Sequence, residues 1–307
     1  MRDRACEAHP EGMESPNPLI ELSDGLTAAV EAGEKSVVAV HGRPHVPSTG
    51  VIWRAGAIVT TDHTLKRDED VLVTFGDGRS APATVAGRDE STDLAVLRVA
   101  DTGAAAVIAP ESSARVGSLV LALGRRAGNG ISASFGIMSA SGGSWRTWRG
   151  GNIDRLLRPD VSIYTGFSGG ALIDGEGRTI GVNTTGLTRG TAVTVPSSTV
   201  SKVVDELLAN GGVRRGFLGI GMHPVELPGG GGGLVILSLE PNGPAAKAGI
   251  VVGDVLLTLN GEAVTETDAV QSHLGAGSVG KPLAAGILRG GAPKTVDIVP
   301  MERPGRR

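Results

Sequence analysis

Short apolar stretches separated by turn signals make up most of the sequence between residues 36 and 195. Pairs such as Asp77-Gly78 and Asp174-Gly175 lie between them and are typical of turns. The chain has 48 glycines among its 307 residues. Many short strands without intervening helices predict a β-sandwich or a β-barrel. The stretches are SVVAV (36–40), GAIVTT (56–61), DVLVTF (70–75), LAVLRV (94–99), SLVLAL (118–123) and TIGVN (179–183).

Helices are predicted only at the two ends of this region. Leu22 to Val37 is expected to form a short helix that leads into a strand, with Ser23 and Asp24 as candidate caps. Ser197 to Leu208 is expected to form a second helix, because its apolar residues recur on one face. Residues 1–20 are polar and are predicted to be disordered. The first folded unit is therefore expected to span residues 21–210.

A second unit is predicted over residues 214–303. Its expected helices are PAAKAG (244–249) and a piece that starts near Thr265, with Asp268 as a capping residue, and ends at about Leu274. Asn260-Gly261 and Gly290-Gly291 are typical of hairpin turns. Its expected strands are FLGIGM (217–222), GLVILSL (233–239), DVLLTLNG (254–261) and AAGILRGG (284–291).

Charge and composition exclude several classes of function. The net charge is −3 and no basic stripe is present, so we expect no nucleic-acid partner. Cys6 is the single cysteine, which excludes an internal disulfide or a cysteine metal cluster, and we expect no metal or other cofactor. The apolar stretches are too short for an integral membrane segment. The first 20 residues lack an apolar leader, so we expect a cytoplasmic protein, or a periplasmic or secreted one if the start codon is misassigned.

Ser168 lies among glycines in Gly166-Phe167-Ser168-Gly169-Gly170, which matches two nucleophile motifs. G-x-S-x-G is the elbow of α/β-hydrolases, which lies between a strand and a helix. G-x-S-G-G is the loop of chymotrypsin-like proteases. The following ALIDGEGRTIGVN predicts strand, turn and strand, which favours the protease.

His63 and Asp93 complete the order His, Asp, Ser that chymotrypsin-like proteases use. Each lies at the edge of a predicted strand, in GAIVTTDH and STDLAVLRV. Serine becomes a nucleophile when a neutral imidazole accepts its proton and a carboxylate orients that imidazole. The N–H groups of Gly166 and Ser168 are candidates for an oxyanion hole.

Three segments in this order, AIVTTDHTL, STDLAVLRV and GFSGGALID, resemble the catalytic blocks of the HtrA (high-temperature-requirement) serine proteases. The second unit resembles a PDZ domain, with GFLGI (216–220) similar to its carboxylate-binding loop and GPAAKAGIVVGDVLLTLNG (243–261) similar to its most recognisable stretch. The resemblance implies a mainly β chain with a chymotrypsin-like double β-barrel followed by a PDZ domain. It also implies ATP-independent cleavage of unfolded or misfolded proteins, and a homotrimer.

Two alternatives to a protease of this family stay open from the sequence. One is a catalytically weak pseudoprotease that acts as a PDZ-based binding module or chaperone, because Thr165-Gly166-Phe167 replaces the family's usual Pro-Gly-Asn. The other is an α/β-hydrolase esterase, which the order of residues disfavours.

Ser162 is expected at the base of the substrate pocket. Trypsin-like proteases that cut after Lys or Arg place an acid six residues before the serine, and that position here is Ser162. An uncharged pocket favours cleavage after a small aliphatic residue such as Val, Ala or Ile.

The resemblance to a PDZ domain implies capture of a free peptide C-terminus by backbone N–H groups of the GFLGI loop. The alternative is that the apolar residues concerned are ordinary core residues. The segment from Ser144 to Asp160 is a candidate for sensing the bound peptide. The expected peptide-binding residues are Leu218, Gly219, Ile220, Val270 and Leu274.

Overall fold

Strands dominate the computed structural model, which describes residues 17–126, 130–188, 191–212, 216–228 and 230–302. They form two closed six-stranded barrels and a separate C-terminal sheet. The predicted fold class, a double β-barrel followed by a PDZ-like unit, is confirmed. None of the described helices is long and apolar enough to cross a membrane.

The first helix, α1, begins earlier than the sequence predicted. It spans Pro18–Gly33, and the Asn17 side chain caps it by accepting a hydrogen bond from the Leu19 N–H. Proline suits the first helical position because its missing N–H would have no partner there. The predicted disorder up to residue 20 and the candidate caps Ser23 and Asp24 are therefore wrong, while residues 1–16 lie outside the described part.

The first barrel is antiparallel and has the strand order β1-β2-β3-β6-β5-β4, closed by pairing of β1 with β4. Every strand predicted before residue 100 belongs to it. Its strands are β1 (Val37–His41), β2 (Ser48–Arg54), β3 (Ala57–Thr61), β4 (Val71–Thr74), β5 (Ser80–Asp89) and β6 (Leu94–Arg98).

The second barrel has the order β11-β14-β13-β12-β7-β8. A two-stranded hairpin, β9 with β10, leaves it between β8 and β11. Helix α2 (Ser197–Asn210) follows β14, and its C-cap residue is Gly211, whose φ is 72°. The strands are β7 (Leu119–Arg125), β8 (Ile131–Ser141), β9 (Trp145–Arg146), β10 (Asn152–Ile153), β11 (Leu157–Asp160), β12 (Ala171–Ile173), β13 (Thr179–Thr184) and β14 (Val193–Pro196).

Strands at the junction of the barrels bury both faces. Val38 and Val40 of β1 lie in the core of the first barrel. Val37 belongs instead to a cluster that also holds Leu123 of β7 and Val204 of α2. Because successive side chains point to opposite faces, a strand buried on both sides is a continuous apolar run such as SVVAV.

The C-terminal unit contains a sheet of order β16-β17-β18-β20-β21. The two predicted hairpin turns are confirmed, with φ of 49° and 83° at Asn260-Gly261 and of 56° and 84° at Gly290-Gly291. Its elements are β15 (Gly216–Phe217), β16 (Ile220–Glu226), β17 (Gly232–Leu239), α3 (Pro244–Lys247), β18 (Val255–Leu259), β19 (Glu262–Ala263), α4 (Thr267–Ser272), β20 (Leu283–Arg289), β21 (Ala292–Ile298) and β22 (Met301–Glu302).

Helix α4 is shorter than the sequence predicted. It begins after Glu266, which makes no side-chain capping bond, and ends at Ser272. The helix starts two residues after Thr265, near which its start was predicted, but the predicted capping box is not formed, because Glu266 and not Thr265 is the N-cap residue.

An ion pair between a buried carboxylate and a partly exposed guanidinium connects the residue before β18 to the end of β20. Arg289 donates from Nε to Asp254 Oδ1 at 2.8 Å and from Nη2 to Oδ2 at 2.7 Å. The Val251 N–H donates to Oδ2 at 2.9 Å. The hydrogen bonds from Arg289 hold the pKa of the Asp254 carboxyl below its ordinary value, because they stabilise its charged form.

Asp254→Asn should lower the melting temperature of the C-terminal unit at neutral pH, since a neutral amide forms no ion pair with Arg289. Asp254 has a depressed pKa in the folded state, so its stabilising effect is present above the ordinary value of 3.8 and is lost as the pH falls through the folded value. Calorimetry of the full chain should show a difference between variant and wild type that shrinks in acid. The exposed Asp297→Asn is the control. A difference that is the same at neutral and strongly acidic pH would contradict the account.

Candidate active site

His63 and Asp93 meet at adjacent ends of paired strands. Thr61, the last residue of β3, pairs with Leu94, the first residue of β6. A single helical turn after β3 carries His63, and Asp93 directly precedes β6. Its carboxylate accepts from the His63 N–H at 2.9 Å and from His63 Nδ1 at 2.7 Å. A carboxylate only accepts hydrogen bonds, so Nδ1 carries the proton and Nε2 is left as the basic nitrogen.

Asp93 is held in place by more than its histidine. It is 1% exposed, and the Thr184 hydroxyl donates to its Oδ2. Its φ of 57° is left-handed, a conformation that Asp tolerates better than most residues. A buried carboxylate with several donors keeps the imidazole in one orientation.

Hydrogen bonds from Arg88 hold the segment next to His63 in place. Its guanidinium donates to Asp62 Oδ1 at 3.0 Å, to Asp68 Oδ1 at 2.8 Å and to the carbonyl of Leu65 at 2.7 Å. Burial raises the pKa of the Asp62 carboxyl, although Arg88 acts in the opposite direction. Asp62 therefore pairs with the Arg88 guanidinium, and this ion pair holds the loop that follows β3.

Ser168 lies in the loop between β11 and β12, and strand β2 of the other barrel holds that loop. The Thr49 N–H donates to the Ser168 carbonyl at 3.3 Å, and the Thr49 hydroxyl donates to the Gly166 carbonyl at 2.7 Å. Gly169 has a φ of 90°, and a Cβ there would overlap the Thr49 carbonyl. This close approach of backbones requires glycine. Since Ser168 follows a strand of a closed barrel and precedes another strand, the α/β-hydrolase alternative is excluded.

The backbone N–H groups on either side of Phe167 are available to bind a ligand. Within the described residues, the N–H groups of Gly166 and Ser168 donate to no protein acceptor, whereas the Phe167 N–H donates to the Tyr164 carbonyl at 2.9 Å. Gly166 has a φ of 96°, which other residues adopt only under strain. Two unpaired donors beside a serine are the arrangement that an oxyanion hole needs.

Three consecutive residues, the last of β13 and the two that follow it, lie against the three predicted catalytic residues. Thr184 donates to Asp93, as described above, and the Thr185 hydroxyl lies 3.2 Å from Ser168 Oγ. A Cβ at Gly186 would lie 2.7 Å from His63 Nδ1, so a side chain there would collide with the imidazole. The sequence analysis missed this segment, because nothing in Thr-Thr-Gly separates it from an ordinary strand end.

The structure brings the serine close to the other two residues without joining it to His63. Among the described residues, Ser168 Oγ bonds to Thr185 Oγ1, and no hydrogen bond links it to the imidazole. Ser162, the predicted base of the pocket, is exposed, and its N–H donates to Ser134 Oγ at 2.9 Å.

The second candidate site is a cavity of about 220 Å³, here called the second cavity, which is lined by all five residues predicted to bind peptide. Leu218 and Val270 also belong to the core of the C-terminal unit, so a core position and a position on the cavity wall do not exclude each other. The N–H groups of Leu218 and Gly219 donate to no acceptor in the described part of the chain, while their carbonyls accept from Ala245 and Glu240. The loop therefore directs free donors outward.

Two residues of the first unit line the same cavity. Arg149 and Gly150, from the turn between β9 and β10, lie opposite the GFLGI loop. A Cβ at Gly150 would lie 2.6 Å from Gln271 Oε1 of α4. The segment from Ser144 to Asp160 thus reaches the second cavity, although the sequence did not single out these two residues.

Family models match both units. A trypsin-like peptidase domain matches residues 48–182 and a PDZ domain matches residues 216–299. The first range contains His63, Asp93 and Ser168. The second contains the five residues predicted to bind peptide.

Known proteins resemble most of the chain. A protein of Brucella suis named as a probable periplasmic serine endoprotease, DegP-like, is 36% identical over 74% of this chain and 47% of its own length. The serine endoprotease DegS of Escherichia coli is 31% identical over 83% of this chain and 77% of its own. A solved structure of the HtrA-type protease AlgW with a decapeptide has a TM-score of 0.76 at 25% identity, over 92% of this chain and 99% of the other.

These relatives correct the predicted location. Several are named periplasmic endoproteases, which points to the periplasm, and the prediction of a cytoplasmic protein is wrong. That prediction depended on one cysteine and on the first 20 residues, and neither determines a compartment. The chain spans about half the length of the first of these curated relatives.

Identity above 30% over more than two thirds of the chain, the two matched domains and the shared double-barrel fold lead to one conclusion. The chain belongs to the HtrA family of trypsin-like serine proteases that carry a PDZ domain.

Proposed function

We propose that the chain is a serine endopeptidase in which His63, Asp93 and Ser168 act as one catalytic unit. The segment Thr184–Gly186 carries this proposal, because it contacts each of the three residues. A segment that contacts all three at once is not expected if their proximity were accidental.

In the proposed reaction, Ser168 Oγ exchanges its contact with Thr185 for one with His63 Nε2. His63 then accepts the serine proton as Oγ attacks the peptide carbonyl, and Asp93 stabilises the imidazolium that forms. The N–H groups of Gly166 and Ser168 bind the carbonyl oxygen as it becomes negative. His63 next protonates the leaving amine, and water completes hydrolysis of the acyl-enzyme.

The pseudoprotease alternative finds no support in the site. Phe167, the replacement that motivated it, has its side chain inside the second barrel and does not obstruct Ser168. The relatives are also named as proteases.

The proposed substrates are unfolded or misfolded proteins of the periplasm. An unfolded protein supplies an extended chain to Ser168 without a prior unfolding step. The proposed chemistry consumes only water, so we propose that cleavage is independent of ATP.

We further propose that the C-terminal unit captures the free C-terminus of such a substrate. The N–H groups of Leu218 and Gly219 are available for a carboxylate, and the peptide would add as a strand beside β16. Val270 and Leu274 would contact its last side chain. Arg149 and Gly150 line the same cavity, which supports the segment from Ser144 to Asp160 as the part of the protease that senses a bound peptide.

A homotrimer is proposed as the assembled state. Apolar side chains of α1 and β8 that are exposed in one chain support it, among them Leu19, Ile20, Phe135 and Ile137. Burying such side chains between copies would stabilise an assembly. Sedimentation of the full chain measures the stoichiometry directly.

Ser168→Ala should reduce casein cleavage by on the order of 10⁶, and His63→Ala by about as much, without adding to the first loss. A serine-directed fluorophosphonate should label the wild type and not Ser168→Ala. Ser112→Ala, which changes an exposed serine elsewhere, is the control and should keep full activity. Substantial cleavage by pure Ser168→Ala protein would refute the proposed nucleophile.

Cleavage should follow Val, Ala or Ile rather than Lys or Arg, because Ser162 offers no negative charge to pair with a cationic side chain. Mass spectrometry of casein fragments maps the cut sites. Ser162→Asp should shift cleavage toward Lys and Arg, whereas the matched Ser112→Asp should leave it unchanged. A majority of wild-type cuts after Lys or Arg would exclude this pocket.

Peptides that end in a free Val or Leu should bind the full-length Ser168→Ala protein more tightly than the same peptides with an amidated end. A charge-assisted hydrogen bond to backbone N–H groups is roughly twice as strong as a neutral one. Fluorescence anisotropy measures both affinities, and Val270→Asp should abolish the difference. Equal binding of free and amidated peptides would rule out carboxylate capture.

A further inference from the structure

Phe167 occupies an unusual place for a large apolar side chain, between the two residues whose N–H groups are proposed to bind the oxyanion. The side chain is 1% exposed and lies in the core of the second barrel, with Met138, Leu157 and Leu172. The ring also meets the Tyr164 ring edge to face, with centroids 5.4 Å apart. One residue thus belongs both to the nucleophile loop and to the barrel core.

The backbone of Phe167 is fixed in both directions. Its N–H donates to the Tyr164 carbonyl at 2.9 Å, and its carbonyl accepts from the Gly170 N–H at 2.9 Å. The loop from Tyr164 to Gly170 therefore consists of two tight turns that share Phe167. Displacing the ring from the core would open both turns.

Gly124 of β7 provides the space for the ring. A Cβ at position 124 would overlap Cδ1 of Phe167. The φ of Gly124 is not in the left-handed region, so its backbone conformation gives no reason for glycine. The reason for glycine at position 124 is instead the Phe167 ring, which fills the space that a side chain there would occupy.

We propose that Phe167 and Gly124 form an apolar anchor that positions the N–H groups of Gly166 and Ser168 for catalysis. Phe167 is a positioning residue, since its side chain lies in the barrel core and not at the reacting atoms. Its effect on activity rests on the proposed serine endopeptidase function, whereas its effect on the loop does not. The anchor contains no titratable group, so its action is independent of pH.

The test compares Phe167→Ala with Phe75→Ala, which deletes the same atoms from the core of the first barrel. Active-site titration with a fluorophosphonate corrects for unfolded protein. Per titrated site, Phe167→Ala should lower kcat by about 10²–10³, the loss seen when one oxyanion donor is removed, with a much smaller change in KM. Affinity for a peptide boronate, which places an oxygen where the oxyanion forms, should fall in parallel with kcat/KM. Phe75→Ala should lower stability and leave kcat per site unchanged.

A double-mutant cycle tests the fit between ring and strand. Gly124→Ala should lower kcat per site because its methyl group displaces the ring. Phe167→Leu leaves room for that methyl, so Gly124→Ala should cost much less activity in the Phe167→Leu background. Equal losses in both backgrounds would show that the two residues act separately.

Amide hydrogen exchange of the loop provides a readout that needs no activity. Exchange across residues 164–173 should accelerate in Phe167→Ala and not in Phe75→Ala. If the wild type has no Ser168-dependent activity, the proposed function fails while this measurement still tests the anchor. Unchanged exchange in Phe167→Ala, or unchanged kcat per site in an active enzyme, would overturn the inference.

Discussion

The packing of the two barrels against each other determines the candidate active site, because His63 and Asp93 belong to the first barrel and Ser168 to the second. The apolar cluster between them includes side chains from both barrels and from α2, and each fully buried Val, Leu or Ile contributes roughly 1.5–3 kcal/mol. The hydrogen bonds from Thr49 to the serine loop contribute about 0.5–1.5 kcal/mol each. The cluster therefore fixes how the barrels sit together, and Thr49 fixes the path of the loop within that arrangement.

Close backbone contacts at glycine positions hold the loops of the candidate active site in place. Glycine at 169 permits contact with β2, and glycine at 186 permits contact with the imidazole. Phe167 adds apolar burial to a loop that is otherwise held by polar contacts. Backbone is used in the same way at the second cavity, where the N–H groups of Leu218 and Gly219 donate to no acceptor among the described residues. Arg149 and Gly150 place the segment from Ser144 to Asp160 at that cavity.

The sequence predicted many of the strands, though not β2, β5 or β8. It also provided the order His63, Asp93, Ser168 and both family resemblances, since apolar runs and glycine-rich motifs are local signals. It did not predict Thr184, Thr185 or Gly186, whose role exists only once β13 lies beside the ends of β3 and β6. It placed the start of α1 a few residues too late, since Asn17 and the alternatives Ser23 and Asp24 are all favourable N-cap residues. It also predicted a capping box for α4, whose N-cap residue, Glu266, makes no side-chain capping bond. The sequence could not decide between a core and a cavity position for Leu218 and Val270, because they belong to the core and also line the cavity.

The central claim is that residues from two barrels form one catalytic unit around Ser168. A crystal structure of the chain after reaction with a peptide boronate tests it most directly. The account predicts a covalent bond from Ser168 Oγ to boron. It also predicts one boronate oxygen within hydrogen-bond distance of the Gly166 and Ser168 N–H groups, and His63 Nε2 turned toward the adduct. A boronate bound elsewhere, or an adduct whose oxygen points away from both N–H groups, would contradict it.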